Sequence, residues 1–341
     1  MTDIEILADL DNLYASYKKA TEGTDWKCSV QRYGVDALLN LNRLSEKILA
    51  GKYKVHYGRQ FDINERGKIR HITPLSFEDR IVQRCLCDYI LLQRIRPHLI
   101  YDNGACLTGK GVSFARKRLV QHLAYHWRQH KGEGYILLCD IHNYFGSLDQ
   151  EKALNMLKAY ADTTVHDILA DAVKTPTGIG VGIGSQVSQV LGLLYLNTLD
   201  HYIKTKKQFK CYGRFNDDFY IIYYDKGTLH KTLGAIEDIC TALGLVINKN
   251  KTQVVKLKHG FTFMKTQYSF SPTGKIVKRL SNCNIVRERR RLKKLPRKIS
   301  KQDYAHAWKA WKCNNEKNYN CHYTTGRLNK IYYKELTNYG Y

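Results

Sequence analysis

The sequence has no apolar run of about 18 residues, the length that a membrane-spanning helix needs. Met1 to Asp11 does not form a signal-peptide pattern either, so we expect a cytoplasmic protein without a membrane span. The ten cysteines include no C-x-x-C pair, which argues against a zinc site and favours buried, reduced thiols. No internal repeat or low-complexity segment is present, and this favours one compact protein over an array of small units.

Acidic residues are scarce relative to basic ones. Asp and Glu number 31 against 55 Lys and Arg, which gives a formal net charge of +24. Such an excess is typical of proteins that bind the phosphate backbone of nucleic acids. An anionic membrane surface is the alternative partner, and the absence of a hydrophobic span argues against it. With 341 residues and 43% hydrophobic content, the chain can bury a large core in two or three subdomains.

The stretch from Cys211 to Asp225 predicts a β-hairpin with an acidic tip. Two apolar, aromatic-rich runs flank Asn216, Asp217 and Asp218. Adjacent aspartates repel each other, so a pair raised on buried strands is better explained if a divalent cation binds there. Mg²⁺ prefers hard oxygen ligands of this kind. An ordinary turn is the alternative, since Asn and Asp are common turn residues.

A further carboxylate follows another apolar run. Residues 134–139 predict a buried strand that ends at Asp140. An acid at the end of a central strand, beside an acidic hairpin, can hold two metal ions about 3.5–4 Å apart for phosphoryl transfer. We therefore expect Asp140, Asp217 and Asp218 to share one catalytic site.

These motifs resemble the palm of bacterial and phage reverse transcriptases. Asp140 with Phe145 is similar to the aspartate-aromatic block of that family, and residues 215–218 are similar to its Y-x-D-D hairpin, with Phe215 in place of Tyr. The resemblance extends from about Phe61 to Leu295. It implies an α/β right-hand polymerase with fingers, a palm built on a ferredoxin-like antiparallel sheet, and a helical thumb.

The same resemblance implies the reaction and its components. The expected activity is RNA-directed DNA polymerisation from dNTPs, on an RNA template with a DNA or RNA primer and two Mg²⁺ ions. The implied metal-binding residues are Asp140, Ile141, Asp217 and Asp218. The implied subdomains are an N-terminal helical leader (1–58), fingers (59–133), a palm (134–270) and a basic helical thumb (271–341). Within the palm, a glycine-rich template-facing loop and a long helix (190–204) occupy 176–204.

Residues that contact the incoming nucleotide are also implied by the resemblance: Lys68, Arg70, Phe145, Ile183, Gly184, Gln189, Phe215, Asn216 and Lys251. Lys68 and Arg70 alternate along a predicted hairpin strand and so point to one face, although edge strands are often basic for other reasons. Phe145 occupies the position under the nucleotide sugar. Lys251 lies where a lysine could protonate the leaving pyrophosphate.

Basic residues outside the palm predict contacts with template and primer. Lys110 and Arg116 accompany a glycine-rich block at the start of a predicted helix, where the family places the template strand. Between Lys275 and Lys298 the only acid is Glu288 among eleven Lys and Arg, a composition suited to gripping a phosphate backbone. A merely solvated helix face is the alternative. The predicted contacts in this run are Arg287, Arg289, Arg290, Arg291, Lys293 and Lys294.

The lineage within the family is indicated by residues 183–189. Their I-G-x-x-x-S-Q pattern resembles the polymerases of diversity-generating retroelements, which copy a template RNA with errors at adenines. Most reverse transcriptases have Q-G-x-x-x-S-P there. A phage-defence reverse transcriptase that uses a structured noncoding RNA is the alternative, and an accessory protein is a possible partner in the first case. A catalytically silent RNA-binding scaffold is a third hypothesis, against which the three intact acids argue.

Overall fold

The computed structural model describes residues 1–56, 58, 61–65, 68–72, 74–175, 178–182 and 184–339, and for residues 65, 68, 70 and 71 it describes the backbone only. The α-helices are α1 (Asp3–Ala8), α2 (Leu10–Thr21), α3 (Cys28–Val35), α4 (Ala37–Leu49), α5 (Phe77–Cys85), α6 (Leu92–Ile95), α7 (Val112–His130), α8 (Tyr144–Ser147), α9 (Gln150–Lys158), α10 (His166–Val173), α11 (Gln186–Leu194), α12 (Asn197–His201), α13 (Lys226–Ala242), α14 (Asn282–Lys294), α15 (Lys301–Asn318) and α16 (His322–Asn338). The strands are β1 (Phe61–Glu65), β2 (Lys68–Ile72), β3 (Tyr135–Asp140), β4 (Tyr212–Phe215), β5 (Asp218–Tyr223), β6 (Gln253–Lys256), β7 (Phe261–Phe263), β8 (Thr266–Phe270) and β9 (Ile276–Leu280).

A four-stranded antiparallel sheet forms the centre of the molecule. Its strands lie in the order β4–β5–β3–β6. Along the chain, helices separate β3 from the β4–β5 hairpin, and α13 separates that hairpin from β6. This βαββαβ order is the ferredoxin-like arrangement, so the predicted palm sheet is present.

Both faces of this sheet are covered, which explains why β3 and β5 are almost continuously apolar. Leu137 and Ile221 belong to the main core, which also contains residues of α1, α2, α4, α9, α11 and α13. Ile136 and Ile222 point to the opposite face, where they join a second core with α7, β7 and β8. The alternation follows from the two-residue period of a strand. The N-terminal helices therefore pack into the main core.

The connection from α11 to α12 differs from the predicted single helix over residues 190–204, and that prediction is wrong. α11 ends at Leu194, and α12 passes into a π-helical turn over Tyr202–Lys206. At the break, Leu196 leaves the helical conformation with φ −95° and ψ 11°. The Tyr195 hydroxyl donates a hydrogen bond to the Leu243 carbonyl (2.7 Å), which ties the break to the end of α13.

A three-stranded sheet, β7–β8–β9, follows the central sheet. The predicted palm–thumb boundary at residue 270 falls between β8 and β9, which pair along their length. Trp127 of α7 packs on Phe270 with ring centroids 4.7 Å apart. Gly274 has φ +84°, and a Cβ there would lie 2.2 Å from the Trp127 ring, so this turn requires glycine. The small sheet is thereby fastened to α7.

The C-terminal helices α14–α16 enclose their own apolar core, which contains Leu292, Tyr304, Trp308, Leu328 and Tyr332.

All ten cysteines are free thiols. Six are buried, but Cys28, Cys106, Cys283 and Cys313 are exposed, so the expectation of burial is wrong for these four. Among the described residues, no helix combines the length and the apolar character needed to cross a membrane.

One charged side chain, Glu288, is buried beside the C-terminal core. Its Oε2 accepts a hydrogen bond from Arg291 at 3.2 Å. Within the described structure, its Oε1 has no hydrogen-bond partner. Burial raises the pKa of Glu288, and the nearby Arg291 only partly opposes this shift. The ionised carboxylate is therefore held at a cost in stability.

Glu288→Gln should raise the melting temperature at neutral pH, because it removes the buried charge and keeps an oxygen for Arg291. Since the folded-state pKa of Glu288 is raised, wild-type stability from this group is full below the unfolded pKa and is lost as the pH rises through the folded pKa. The gain should thus grow from acid to neutral pH, as the pH rises above about 4.5, the ordinary pKa of a Glu carboxyl. Thermal denaturation over this range tests it, with the exposed Glu22→Gln as control. A gain that does not depend on pH would contradict this explanation.

Candidate active site

Asp140 and Asp218 face each other on neighbouring strands. Asp140 ends β3, Asp218 begins β5, and the two are direct partners in the antiparallel register. Side chains at such positions lie about 4.5–5.5 Å apart at Cβ. The two carboxyl groups share a hydrogen bond, and the charge of Asp217 also acts on Asp218. The structure therefore brings together the three predicted acids.

The Asp218 carboxyl shows the electrostatic state of this site. Burial, then the charge of Asp217, then the hydrogen bond and charge of Asp140 raise the pKa of Asp218 to about 7, while Lys251 opposes the shift. A carboxyl with so high a pKa beside two others indicates a site that is short of positive charge.

The donor set suits a divalent cation in its chemistry, because carboxylate oxygens are the ligands that Mg²⁺ prefers. The arrangement is not a ready-made metal site: in the described part of the chain, no three His, Cys, Asp or Glu side chains are grouped closely enough to hold an ion. The Lys251 ammonium supplies positive charge beside Asp140 instead. Ile141, predicted with the metal-binding residues, has a buried side chain, so only its main chain could act on an ion.

Asp140 is held by the turn that follows α13. The Lys251 ammonium donates to Asp140 Oδ1 at 2.6 Å, and the Asn248 amide donates to Oδ2 at 2.8 Å. The Asn248 main-chain N–H also donates to the Asp140 carbonyl at 2.8 Å. Burial lowers the pKa of Lys251, but the hydrogen bond and charge of Asp140 outweigh it and raise this pKa overall. Sequence analysis assigned no role to Asn248, although its position three residues before Lys251 places both on one turn.

A cleft of about 310 Å³ opens beside these residues. Asp140, Asp218 and Lys251 line one side of it, and Thr262 and Met264 of the β7–β8 hairpin line the other. The acidic cluster is therefore accessible from the face of the sheet that carries β7 and β8.

The tip of the β4–β5 hairpin requires an unusual backbone. Asn216 has φ +54°, a left-handed conformation that Asn tolerates better than most residues. Its side-chain oxygen lies 3.8 Å from Cys106 Sγ. Phe215 packs on a small apolar cluster around Leu107 and Leu193. The predicted residues Phe215 and Asn216 thus lie at the acidic cluster, where they shape its backbone.

A buried ion pair supports this tip from below. Arg214 is 1% exposed and Asp200 of α12 is 0% exposed. Arg214 donates to Asp200 through Nε (2.8 Å) and Nη2 (2.7 Å). It also donates to the carbonyls of Asn216 (3.0 Å) and Leu193 (2.8 Å). The pair therefore joins the hairpin tip to α11 and α12, and sequence analysis missed it.

Phe145 belongs to α8, and its side chain faces α11. Its half-buried ring packs on Gly192, where a Cβ would lie 2.9 Å from the ring, so only glycine permits this approach. The Val181 N–H donates to the Phe145 carbonyl at 2.8 Å. The exposed residues Gly184 and Gln189 line a separate cavity of about 400 Å³. Ile183 lies outside the described residues.

The other predicted contacts outside the palm, apart from those of α14, are Lys68, Arg70, Lys110 and Arg116. The predicted hairpin of β1 and β2 is present. The structure describes only the backbone of Lys68 and Arg70, so their side chains lie outside the described part of the chain. Lys110 points inward, where its ammonium donates to the carbonyls of Tyr101 (2.7 Å) and Asn103 (3.0 Å). Arg116 donates to the Met264 carbonyl at 2.9 Å. Lys110 and Arg116 therefore donate hydrogen bonds to main-chain carbonyls of the protein itself.

The basic residues of α14 divide into two groups. Five are exposed: Arg287, Arg289, Arg290, Lys293 and Lys294. Arg291 is half-buried and pairs with Glu288. The exposed group forms a cationic helix face opposite the buried side of α14, which contains Leu292.

The described residues combine a ferredoxin-like sheet with a group of acids at one end of it. Residues 59–271 match the family model described as reverse transcriptase (RNA-dependent DNA polymerase). That match covers more than half of the chain, and the chain belongs to this family of nucleotidyltransferases. A search among curated proteins found no match.

Solved structures with a similar fold include telomerases. Apo telomerase from Candida tropicalis has 15% identity and a TM-score of 0.48 over 70% of this chain and 53% of that chain. Its form truncated from the C-terminal domain has 14% identity and a TM-score of 0.49, over 71% of this chain and 60% of that chain. Telomerase from Candida albicans in complex with a fragment of telomeric RNA has 13% identity and a TM-score of 0.49, over 76% and 55%. The chain therefore spans between about half and three fifths of their lengths.

Asp200→Asn should destabilise the protein by roughly 3–5 kcal/mol, because it leaves the Arg214 guanidinium buried without its counter-ion. Tyr212→Phe, which removes one hydrogen bond to Asp200, should cost only about 1 kcal/mol. Replacing both partners with apolar residues, as in Asp200→Leu with Arg214→Met, should recover much of the loss. Urea unfolding measures all three. Equal effects of Asp200→Asn and Tyr212→Phe would contradict the importance of the ion pair.

Proposed function

We propose that this protein is an RNA-directed DNA polymerase that copies an RNA template into cDNA from a DNA or RNA primer. The observation that carries the proposal is the pairing of Asp140 with Asp218 across the central strands, with Asp217 at the adjoining tip, in a member of the reverse transcriptase family. When bound there, two Mg²⁺ ions would activate the primer 3′ hydroxyl and neutralise the leaving pyrophosphate.

The chain's own residues have distinct tasks in this proposal. Asp140, Asp217 and Asp218 hold the metal ions, together with main-chain atoms of Ile141. Lys251 stays protonated because its pKa is raised, and it donates a proton to the leaving pyrophosphate. The ring of Phe145 lies under the sugar of the incoming nucleotide and excludes a 2′ hydroxyl.

The other nucleotide contacts in the proposal are Lys68, Arg70, Ile183, Gly184, Gln189, Phe215 and Asn216. The exposed cations of α14 bind the backbone of the template–primer duplex, since exposed Lys and Arg on one helix face neutralise phosphates effectively. We assign Arg291 a supporting role, because it pairs with Glu288 at 3.2 Å.

We further propose that the protein is the polymerase of a diversity-generating retroelement. The I-G-x-x-x-S-Q pattern at residues 183–189 supports this proposal. In this role a cytoplasmic polymerase copies its template RNA with errors at adenines, with an accessory protein as partner. In the alternative hypothesis, the protein is a phage-defence reverse transcriptase that uses a structured noncoding RNA at the same active site. Sequencing the RNA that copurifies with the protein separates the two.

Asp217→Asn should abolish dNTP incorporation on a primed RNA template while RNA affinity stays within about twofold, since the substitution removes one carboxylate charge and leaves the cationic surfaces intact. Asp238→Asn, an exposed change on α13, is the matched control and should retain full activity. Primer extension and RNA-binding titration measure the two properties. Near-normal synthesis by Asp217→Asn would refute the assignment.

Phe145→Ala should allow the enzyme to incorporate rNTPs. The wild-type ring occupies the space that a 2′ hydroxyl needs, and a close-packed site does not shift easily to accept an added group. Phe145→Tyr keeps the bulk and should keep the preference for dNTPs. The ratio of kcat/KM for dNTP and rNTP addition measures the effect. A wild type that uses both nucleotides equally would exclude this role for Phe145.

A further inference from the structure

A second groove lies at the end of the central sheet that is remote from the acids. β3 runs from Tyr135 to Asp140, and Tyr135 pairs with Tyr223 at the far end of β5. With a rise of about 3.3 Å per residue, this end of the sheet lies roughly 17 Å from Asp140. The groove is therefore separate from the cleft beside the carboxylates.

Two adjoining hollows of about 310 and 290 Å³ form the groove, and both are lined by Tyr125, Lys210 and Cys211. Arg128 lines the first hollow and is exposed, as is Lys210. None of the described residues that line either hollow is acidic. The groove is therefore a cationic surface that suits a polyanion.

Aromatic rings continue across the second hollow. The rings of His126 and His130 lie 4.7 Å apart, and His130 stacks on Tyr224 with centroids 5.4 Å apart and planes at 26°. Tyr224 in turn lies 4.5 Å from Tyr223. Tyr224 is 54% exposed, so this end of the ring series is accessible from solvent.

Cations beside an open aromatic series fit single-stranded nucleic acid better than other polyanions. Bases stack on Tyr and His rings without sequence preference, while Lys and Arg follow the backbone. An acidic protein could form ion pairs with the cations, but its carboxylates would not stack on the aromatic rings. Unpaired RNA is the form in which bases are free to stack in this way.

We infer that this groove, defined by Tyr125, Arg128, His130, Lys210 and Tyr224, binds a single-stranded segment of RNA outside the polymerase cleft. The site is additional to the proposed template–primer contacts and depends on its own residues. It gives the protein a means of retaining an RNA while another part of that RNA occupies the cleft.

The test measures binding of a fluorescent single-stranded RNA of about 10 nucleotides to protein whose cleft is saturated with an annealed primer–template duplex. Tyr224→Ala should weaken binding by about 5- to 150-fold, the loss of one stacked base. Arg128→Ala with Lys210→Ala should make the slope of log affinity against log salt shallower by about 1.4, since each phosphate contact on a single strand contributes about 0.7.

The controls remove equivalent groups elsewhere. Tyr14→Ala removes an exposed ring, and Arg43→Ala with Lys52→Ala removes two exposed cations, all from the N-terminal helical region. These variants should bind the RNA as the wild type does. All variants should melt at the same temperature and extend a short annealed primer at the wild-type rate.

Three results would overturn the inference. The first is that the groove variants bind the single-stranded RNA as tightly as the controls do. The second is that primer extension on the short duplex falls in parallel with binding, which would make the groove part of the catalytic channel. The third is that a polyglutamate peptide binds the wild type and displaces the RNA in a manner that depends on Tyr224. Because binding of the single-stranded RNA is measured directly, the first and third results are informative whether or not the protein polymerises DNA.

Discussion

The buried ion pair between Arg214 and Asp200 is the interaction on which the rest of the site depends. It carries two opposite charges out of water, which is stabilising only when the geometry satisfies both groups. Arg214 meets this condition because it donates to Asp200 and to main-chain carbonyls of the hairpin tip and of α11. The tip is thus held rigidly against the helices below it. Asp217 and Asp218 consequently occupy fixed positions relative to Asp140 on the neighbouring strand.

That fixed arrangement has an electrostatic consequence. Three acids lie at the end of two apolar strands, where burial and the charge of Asp217 disfavour the ionised form of Asp218. Lys251 and Asn248 stabilise the Asp140 carboxylate, but Asp218 keeps a raised pKa of about 7. Additional positive charge would therefore be bound favourably. The open cleft beside the cluster and the exposed cations of α14 are consistent with the polyanionic substrate proposed above.

The sequence predicts the central strands and their acids because both signals are local: an apolar run gives the strand, and the polar residue at its end gives the site. It does not predict the pairing of Arg214 with Asp200, because the two lie in different elements and no periodicity links them. Nor does it reveal the break after α11, where neither Gly nor Pro interrupts the helical pattern. Lys110 illustrates a further limit. A cation before a helix suggests a phosphate contact, but backbone carbonyls of its own loop bind this one.

We propose that Asp140, Asp217 and Asp218 form a single site for divalent cations. Titration with Mn²⁺, followed by its electron paramagnetic resonance signal, measures this directly when the protein holds a primer–template duplex and a non-hydrolysable dNTP analogue. The wild type and Asp238→Asn should bind Mn²⁺ with the same affinity, and Asp140→Asn should bind it many-fold more weakly. Equal Mn²⁺ affinity in the wild type and Asp140→Asn would contradict a shared metal site.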